Sequence, residues 1–230
     1  LNPRKHGNDD DFMALAIFDL DNTLLGGDSD YLWGQFLIEQ GLVDGAHYER
    51  ENQRFYDEYR AGTLDIYAFL AFMLQPLAEH PLAELLAWRE RFLEEKIQPI
   101  LLPKADELLN RHRVAGDTLL IITATNRFIT APIAERLGVS HLLASEPEYV
   151  DGRYTGRSTG IPCFQHGKVE RLNAWLMETG GNLARSWFYS DSHNDLPLLD
   201  RVTYPVAVDP DATLTNYAKA RGWPIISLRG

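Results

Sequence analysis

The chain has 230 residues, with 22 Lys and Arg against 33 Asp and Glu, for a formal net charge of -11. That balance excludes a role built on clustered basic residues, so neither nucleic acid nor an anionic membrane surface is an expected partner; 45% hydrophobic and 24% charged residues exclude a disordered chain. The single cysteine, Cys163, excludes an intrachain disulfide framework and a cysteine zinc cage, and since no apolar run approaches the roughly 20 residues of a membrane span, a cytoplasmic protein is expected.

Residues 1–11 are polar and acidic without an apolar signal core, so 1–12 reads as a flexible tail and Met13 as the natural start. Residues 13–20, MALAIFDL, are apolar almost throughout, which suits a buried parallel strand, with Asp19 and Asp21 at its C-terminal end. From 30 to 97, helical periodicity and charge predict about four helices, which Pro76 and Pro81 are expected to break. A further helix is expected from Pro103 to about Val114, ended by Gly116. A second buried strand follows at 118–123, then a helix over 127–137 that stops at Gly138, and a short strand at 141–143. Asp151-Gly152 predicts a hairpin over 149–156. The periodicity then gives an amphipathic helix over 168–177, strands at 186–190, 204–208 and 224–228, and a helix over 212–221. Outside the long helical stretch, strands alternate with helices, which predicts an α/β fold: a Rossmann-like parallel sheet with helices on both faces. A crossover does not need so long an insertion, so 26–97 is expected to be a separate helical layer on a core formed by 1–25 and 98–230.

Four features recur at comparable places in this pattern: DLDNT (19–23) after the first strand, Thr123 after the second, Lys168 at the start of a helix, and SDSHND (190–195) after the strand SWFYS. Ligands of open parallel sheets bind beyond the carboxyl ends of the strands, so three of the four must share that edge. Asp19, Asp21, Asp191 and Asp195 would repel one another unless a cation intervenes, and oxygen-only ligands favour Mg²⁺ with retained waters. Such an ion commonly carries phosphate; Thr123 can hydrogen-bond a phosphate oxygen and Lys168 can supply positive charge. An aspartate can accept a phosphoryl group, and a carboxyl two residues on can act as general acid and base. Taken singly, each feature has a plainer reading: Asp caps for the carboxylates, an ordinary strand residue for Thr123, a solvated lysine for Lys168.

In their order and intervals these four segments resemble the motifs of the haloacid dehalogenase-like superfamily, over nearly the whole chain, and the helical insertion resembles the small cap of its phosphoserine-phosphatase-like branch. The resemblance implies that Asp19 is the nucleophile and Asp21 the general acid and base. It implies that Asp19, the Asp21 carbonyl and Asp191 bind Mg²⁺, that Thr123 and Lys168 hold the phosphoryl group, and that Asn194 and Asp195 support the metal shell and Lys168. The second acid separates the chain from the magnesium-free dehalogenases. In phosphoserine phosphatases an acid nine positions after the nucleophile meets the substrate ammonium; here it is Asp28. The cap arginine that binds the substrate carboxylate aligns with Met73, and no Arg or Lys lies between Ala61 and His80. A small phosphorylated metabolite with an amine and no carboxylate is therefore expected, such as histidinol phosphate or a phosphoethanolamine-like compound. Phosphoserine hydrolysis, transfer to an acceptor other than water, and a non-catalytic phospholigand sensor are the competing readings. His193 reads as a structural or exposed loop residue, whereas Cys163 and His166 read equally well as pocket lining or loop packing. The aromatic residues of 33–72 read as core, with one or two rings left to face a ligand cation.

Overall fold

The computed structural model describes residues 14–230, so the tail over 1–12 and Met13 lie outside the described residues. Seven strands form one sheet in the order β4-β3-β2-β1-β5-β6-β7. They are β1 (Leu15–Phe18), β2 (Thr118–Asn126), β3 (His141–Val150), β4 (Arg153–Thr159), β5 (Ser186–Ser190), β6 (Tyr204–Val208) and β7 (Ile225–Ile226). All neighbours pair in parallel except β3 with β4, the expected hairpin. Its turn residues Asp151 and Gly152 both have positive φ, the geometry that suits a two-residue hairpin loop.

The alternation of side chains along β1 divides the core. Ala16 and Phe18 face a cluster built with α5 (Pro103–Ala115) and α6 (Arg127–Arg136). Leu15 and Ile17 face the opposite cluster, built with α7 (His166–Thr179), α8 (Leu196–Leu199) and α9 (Ala212–Arg221). Helices therefore cover both faces, as the strand–helix alternation predicts. Chain order runs outward from β1 through β2 to β3, then crosses to β5 on the other side of β1. This places a topological switch point at the carboxyl ends of β1 and β5, where such folds open a crevice.

Between β1 and α5 lie the four helices read from periodicity: α1 (Ser29–Glu39), α2 (Gly45–Ala61), α3 (Ile66–Glu79) and α4 (Leu82–Phe92), the last continued by a π turn, Leu93–Ile97. Asp28, Asp44 and Asp65 cap the first three, each accepting a hydrogen bond from a backbone N–H of the first turn. Trp33, Phe36, Met73 and Phe92 of this layer join the cluster of α5 and α6, so the layer and the sheet share one apolar mass. The two ends of the layer meet in an antiparallel bridge, Leu25 with Leu101, closed by a hydrogen bond from Gly26 N–H to Ile100 O at 2.7 Å.

Several boundaries differ from the sequence reading. Pro81 does stand between helices, but Pro76 lies inside α3. Proline removes one backbone bond there, yet Leu70, Met73, Leu74 and Leu77 are buried along the helix and carry it on to Glu79. β2 runs three residues past Thr123, its pairing with β3 shifting register between Ile122 and Asn126. β3 continues well beyond 143 because it changes partners, from β2 to the hairpin strand β4. The last strand shortens to two residues at the sheet edge.

Candidate active site

The carboxyl ends of β1, β2 and β5 open onto a cavity of about 140 Å³, roofed by α2 and α3. Asp19, the first residue beyond β1, is 7% exposed at its floor. Lys168, in the first turn of α7, is 3% exposed and points Nζ at Asp19 Oδ1 (2.7 Å) and at Asp195 Oδ1 (2.8 Å). Asp195 is fixed in turn by Ser190 Oγ, which donates to its Oδ2 at 2.6 Å. Burial, reinforced by Asp195 and offset in part by Lys168, pushes the Asp19 carboxyl up to about 7. Burial works against the Lys168 charge, but Asp19 and Asp195 together hold its ammonium above the ordinary lysine value.

Asp21 is held at both oxygens. Oδ1 accepts from Ser29 N–H at 2.6 Å and Oδ2 from Thr125 Oγ at 2.8 Å. Burial and the neighbouring Asp28 nevertheless push this carboxyl up to about 6. Thr123 and Thr125 stand where β2 leaves its regular pairing, which turns both toward the cavity. Thr123 Oγ accepts from Thr125 N–H at 3.2 Å. Asp28 lines the solvent side of the cavity while its Oδ1 caps α1 through Tyr31 N–H at 2.9 Å.

Asp191 lies beside this group, lining an adjoining cavity with Ser192 and His193. Thr23 locks it in place: its Oγ donates to Asp191 Oδ1 and accepts from Asp191 N–H, both at 3.1 Å. Burial, then the nearness of Asp19 and Asp195, raises the Asp191 carboxyl well above the usual carboxylate range. Asn194 donates to Tyr59 O at 3.1 Å and accepts from Gln165 Nε2 at 2.9 Å, and Tyr59 OH donates to Ser192 Oγ at 2.8 Å. Tyr59 thus ties α2 to the loop after β5.

Asp19, Asp21, Asp28, Thr123, Lys168, Asn194 and Asp195 line one cavity, and Asp191 adjoins it. His193 lines the adjoining cavity, its Nδ1 2.8 Å from Asp211 Oδ2. Cys163 and His166 do not reach the cavity: Cys163 is fully buried with Sγ 3.5 Å from Leu143 O, and His166 is exposed. Their neighbour Phe164 lines the cavity instead. Among the aromatic residues of the helical layer, Trp33 is core, whereas Phe55, Tyr56, Tyr59 and Phe69 face the cavity. Asp30, Asn52 and Gln165 also belong to the site or its frame and carry no motif; only their polarity amid apolar helical spacing marks them in the sequence.

Among the described residues no three His, Cys, Asp or Glu side chains form a cage for a metal. The donor set offered here is two crowded carboxylates, Asp19 and Asp191, with Lys168 as the buried cation beside Asp19. Oxygen donors of this kind, with raised proton affinity, fit a hard divalent cation that keeps part of its water.

The sequence profile of the haloacid dehalogenase-like hydrolases matches residues 16–200. A histidinol-phosphatase of Neisseria meningitidis serogroup C is 47% identical over 219 residues, covering 94% of this chain and 99% of that protein. A crystal structure of a protein of unknown function from Bordetella pertussis Tohama I superposes with a TM-score of 0.89 at 48% identity, over 94% of this chain and 99% of that one. A phospho-aspartyl intermediate analogue of phosphoserine phosphatase shares the fold, with a TM-score of 0.69 at 20% identity over 95% of this chain and 94% of its own. Among the described residues no helix is long and apolar enough to cross a membrane.

Proposed function

The chain belongs to the haloacid dehalogenase-like hydrolases and is a phosphatase of that family; on that premise we propose that it hydrolyses a small amino-alcohol phosphate, histidinol phosphate first among them, through an aspartyl-phosphate on Asp19. The observation that carries this reading is the buried Asp19–Lys168–Asp195 group, with Thr123 and Asp21 facing the same cavity.

In this mechanism Lys168 and Thr123 hold the phosphoryl oxygens in line with Asp19. An Asp19 oxygen attacks phosphorus, the bond from phosphorus to the ester oxygen breaks, and Asp21 gives that oxygen its proton. Asp21 then takes a proton from water as the water attacks phosphorus, releasing inorganic phosphate and restoring the Asp19 carboxylate. Ser29 N–H and Thr125 Oγ keep Asp21 aimed through both steps. Asp19, Asp191 and the Asp21 carbonyl are the residues that would hold Mg²⁺, with Asn194 and Asp195 in support. When bound, the ion offsets charge on the phosphoryl oxygens. Residues 26–97 serve as a cap that excludes water and reads the leaving group.

The substrate assignment rests on charge. Lys168 is the one Lys or Arg among the described residues lining the cavity, and it is already engaged by two carboxylates. Met73 is buried in the wall, where a substrate carboxylate would need a cation. Asp28 offers an acceptor for an ammonium. A panel of phosphate esters with and without Mg²⁺ tests the reading. Histidinol phosphate should be preferred over phosphoserine, and Asp19→Asn should lower kcat by at least about 10³-fold with the fold unchanged. A preference for phosphoserine would overturn the substrate assignment, and undiminished turnover by Asp19→Asn would overturn the nucleophile.

A further inference from the structure

Beyond the phosphoryl end, the cavity continues between α1, α2 and α3, where Phe55, Phe69 and Met73 wall it. Two polar side chains face this inner end and have no part in the chemistry above. Asp30, in the first turn of α1, is 5% exposed; Asn126 Nδ2 donates to it at 3.3 Å, and Thr125 Oγ, the other hydroxyl beside it, gives its 2.8 Å hydrogen bond to Asp21. The charged groups around it are the acids Asp28 and Asp21, and burial with their repulsion raises its carboxyl well above the usual range. Asn52 of α2 is 8% exposed, and its Nδ2 has no hydrogen-bond partner among the described residues.

Gly34 brings the two together. It lies one turn beyond Asp30 on the same face of α1. A Cβ there would stand 3.0 Å from Asn52 Nδ2 and 2.7 Å from Tyr48 Cε1, so α1 and α2 touch at this point because Gly34 has no side chain. Asp30 and Asn52 thereby flank the same end of the cavity.

A buried carboxyl with a weak partner and a buried amide with an unmet donor are both costly, and a ligand that pairs with both relieves that cost. Neutral imidazole carries one N–H donor and one lone-pair acceptor on a flat ring. The donor suits Asp30, the acceptor suits the Asn52 amide, and the ring faces suit Phe55, Phe69 and the Met73 sulfur. An alkylammonium brings donors alone, and a carboxylate would meet no Lys or Arg at this end of the cavity. We infer that Asp30 and Asn52 form a subsite for an imidazole-like nitrogen heteroaromatic ring on the leaving group, and so determine specificity among amino-alcohol phosphates. This subsite rests on the phosphatase reading of the cavity, with Asp28 left to meet the ammonium.

The test compares kcat/KM for histidinol phosphate with that for phosphoethanolamine, which has the amine and no ring, in the full chain and in Asp30→Asn and Asn52→Leu. The ratio should fall by about 10- to 100-fold in each variant. A ratio within about twofold of the parent, including an equal loss on both esters, overturns the subsite. Calorimetric binding to the parent protein gives a second reading that needs neither a folded variant nor turnover. Histidinol should bind at least about tenfold more tightly than alaninol, its counterpart without the ring. Equal binding overturns the subsite. Preferential histidinol binding with no turnover of any ester supports the subsite and overturns the phosphatase reading alone.

Discussion

Lys168 is the charge on which the floor of the cavity depends. It is 3% exposed between two carboxylates, so neutralising it leaves Asp19 and Asp195 facing each other without a counter-ion. Lys168→Met should cost about 3–5 kcal/mol in urea unfolding and lower kcat by about 10²- to 10³-fold. Cys163 presents the opposite case of a reactive type made inert. Burial pushes its thiol up to about 12, so the thiolate that alkylating reagents need is absent at pH 8. Iodoacetamide should leave the native protein unlabelled and modify it fully in denaturant. Because the folded thiol holds its proton more tightly than the unfolded one, its contribution to stability is complete below about 8.5 and declines as pH rises toward 12. The motif residues were legible because parallel strands bring their C-terminal ends to one edge. Asp30, Asn52 and Tyr59 were not, because each acquires its place only from how α1 and α2 dock against the sheet.

At the scale of elements, the approach to Lys168 is the most constrained segment. Gln165 precedes α7 with φ 46° and ψ -119°, and a Cβ at Gly167 would stand 2.0 Å from Pro162 O. That neighbour is backbone and cannot swing aside, so Gly167→Ala must shift the first turn of α7 and Lys168 with it. A loss of about 1–3 kcal/mol and at least about tenfold in kcat/KM is expected, measured by thermal melting and steady-state kinetics. Strand existence was readable from apolar runs, and β5, β6 and α9 fall where periodicity puts them. The ends of β2 and β3 were not, because both extend through partners that no local pattern announces: the shifted register with β3 and the hairpin strand β4. Pro76 reads locally as a break, and tertiary burial of α3 overrides it.

For the whole molecule, a chain of net charge -11 carries a cavity that, on the proposed reading, accepts an anion. On the proposed reading, the acids Asp19 and Asp191, both with raised proton affinity, are where a bound cation would reverse the local sign. Such a cation would bind the folded chain in preference to the unfolded one. Mg²⁺ at a hundredfold excess over its Kd should therefore stabilise metal-stripped protein by about 2.7 kcal/mol, several degrees in Tm. Asp191→Asn should abolish most of that rise in calorimetry. Composition foretold none of this placement; it bounded the partners, and the strand order supplied the location.

The Leu25–Leu101 bridge has a consequence for engineering. Where the two ends of a segment are already stitched side by side, a replacement of other length and specificity can be joined there without moving either end, provided it brings an apolar face for α6. Outright excision is another matter. Trp33, Phe36 and Phe92 lie in the same apolar cluster as Phe128 and Ile129 of α6, and a chain cut back to a short linker would present those last two to solvent. A swap should yield a well-behaved chimaera, whereas a deletion should aggregate.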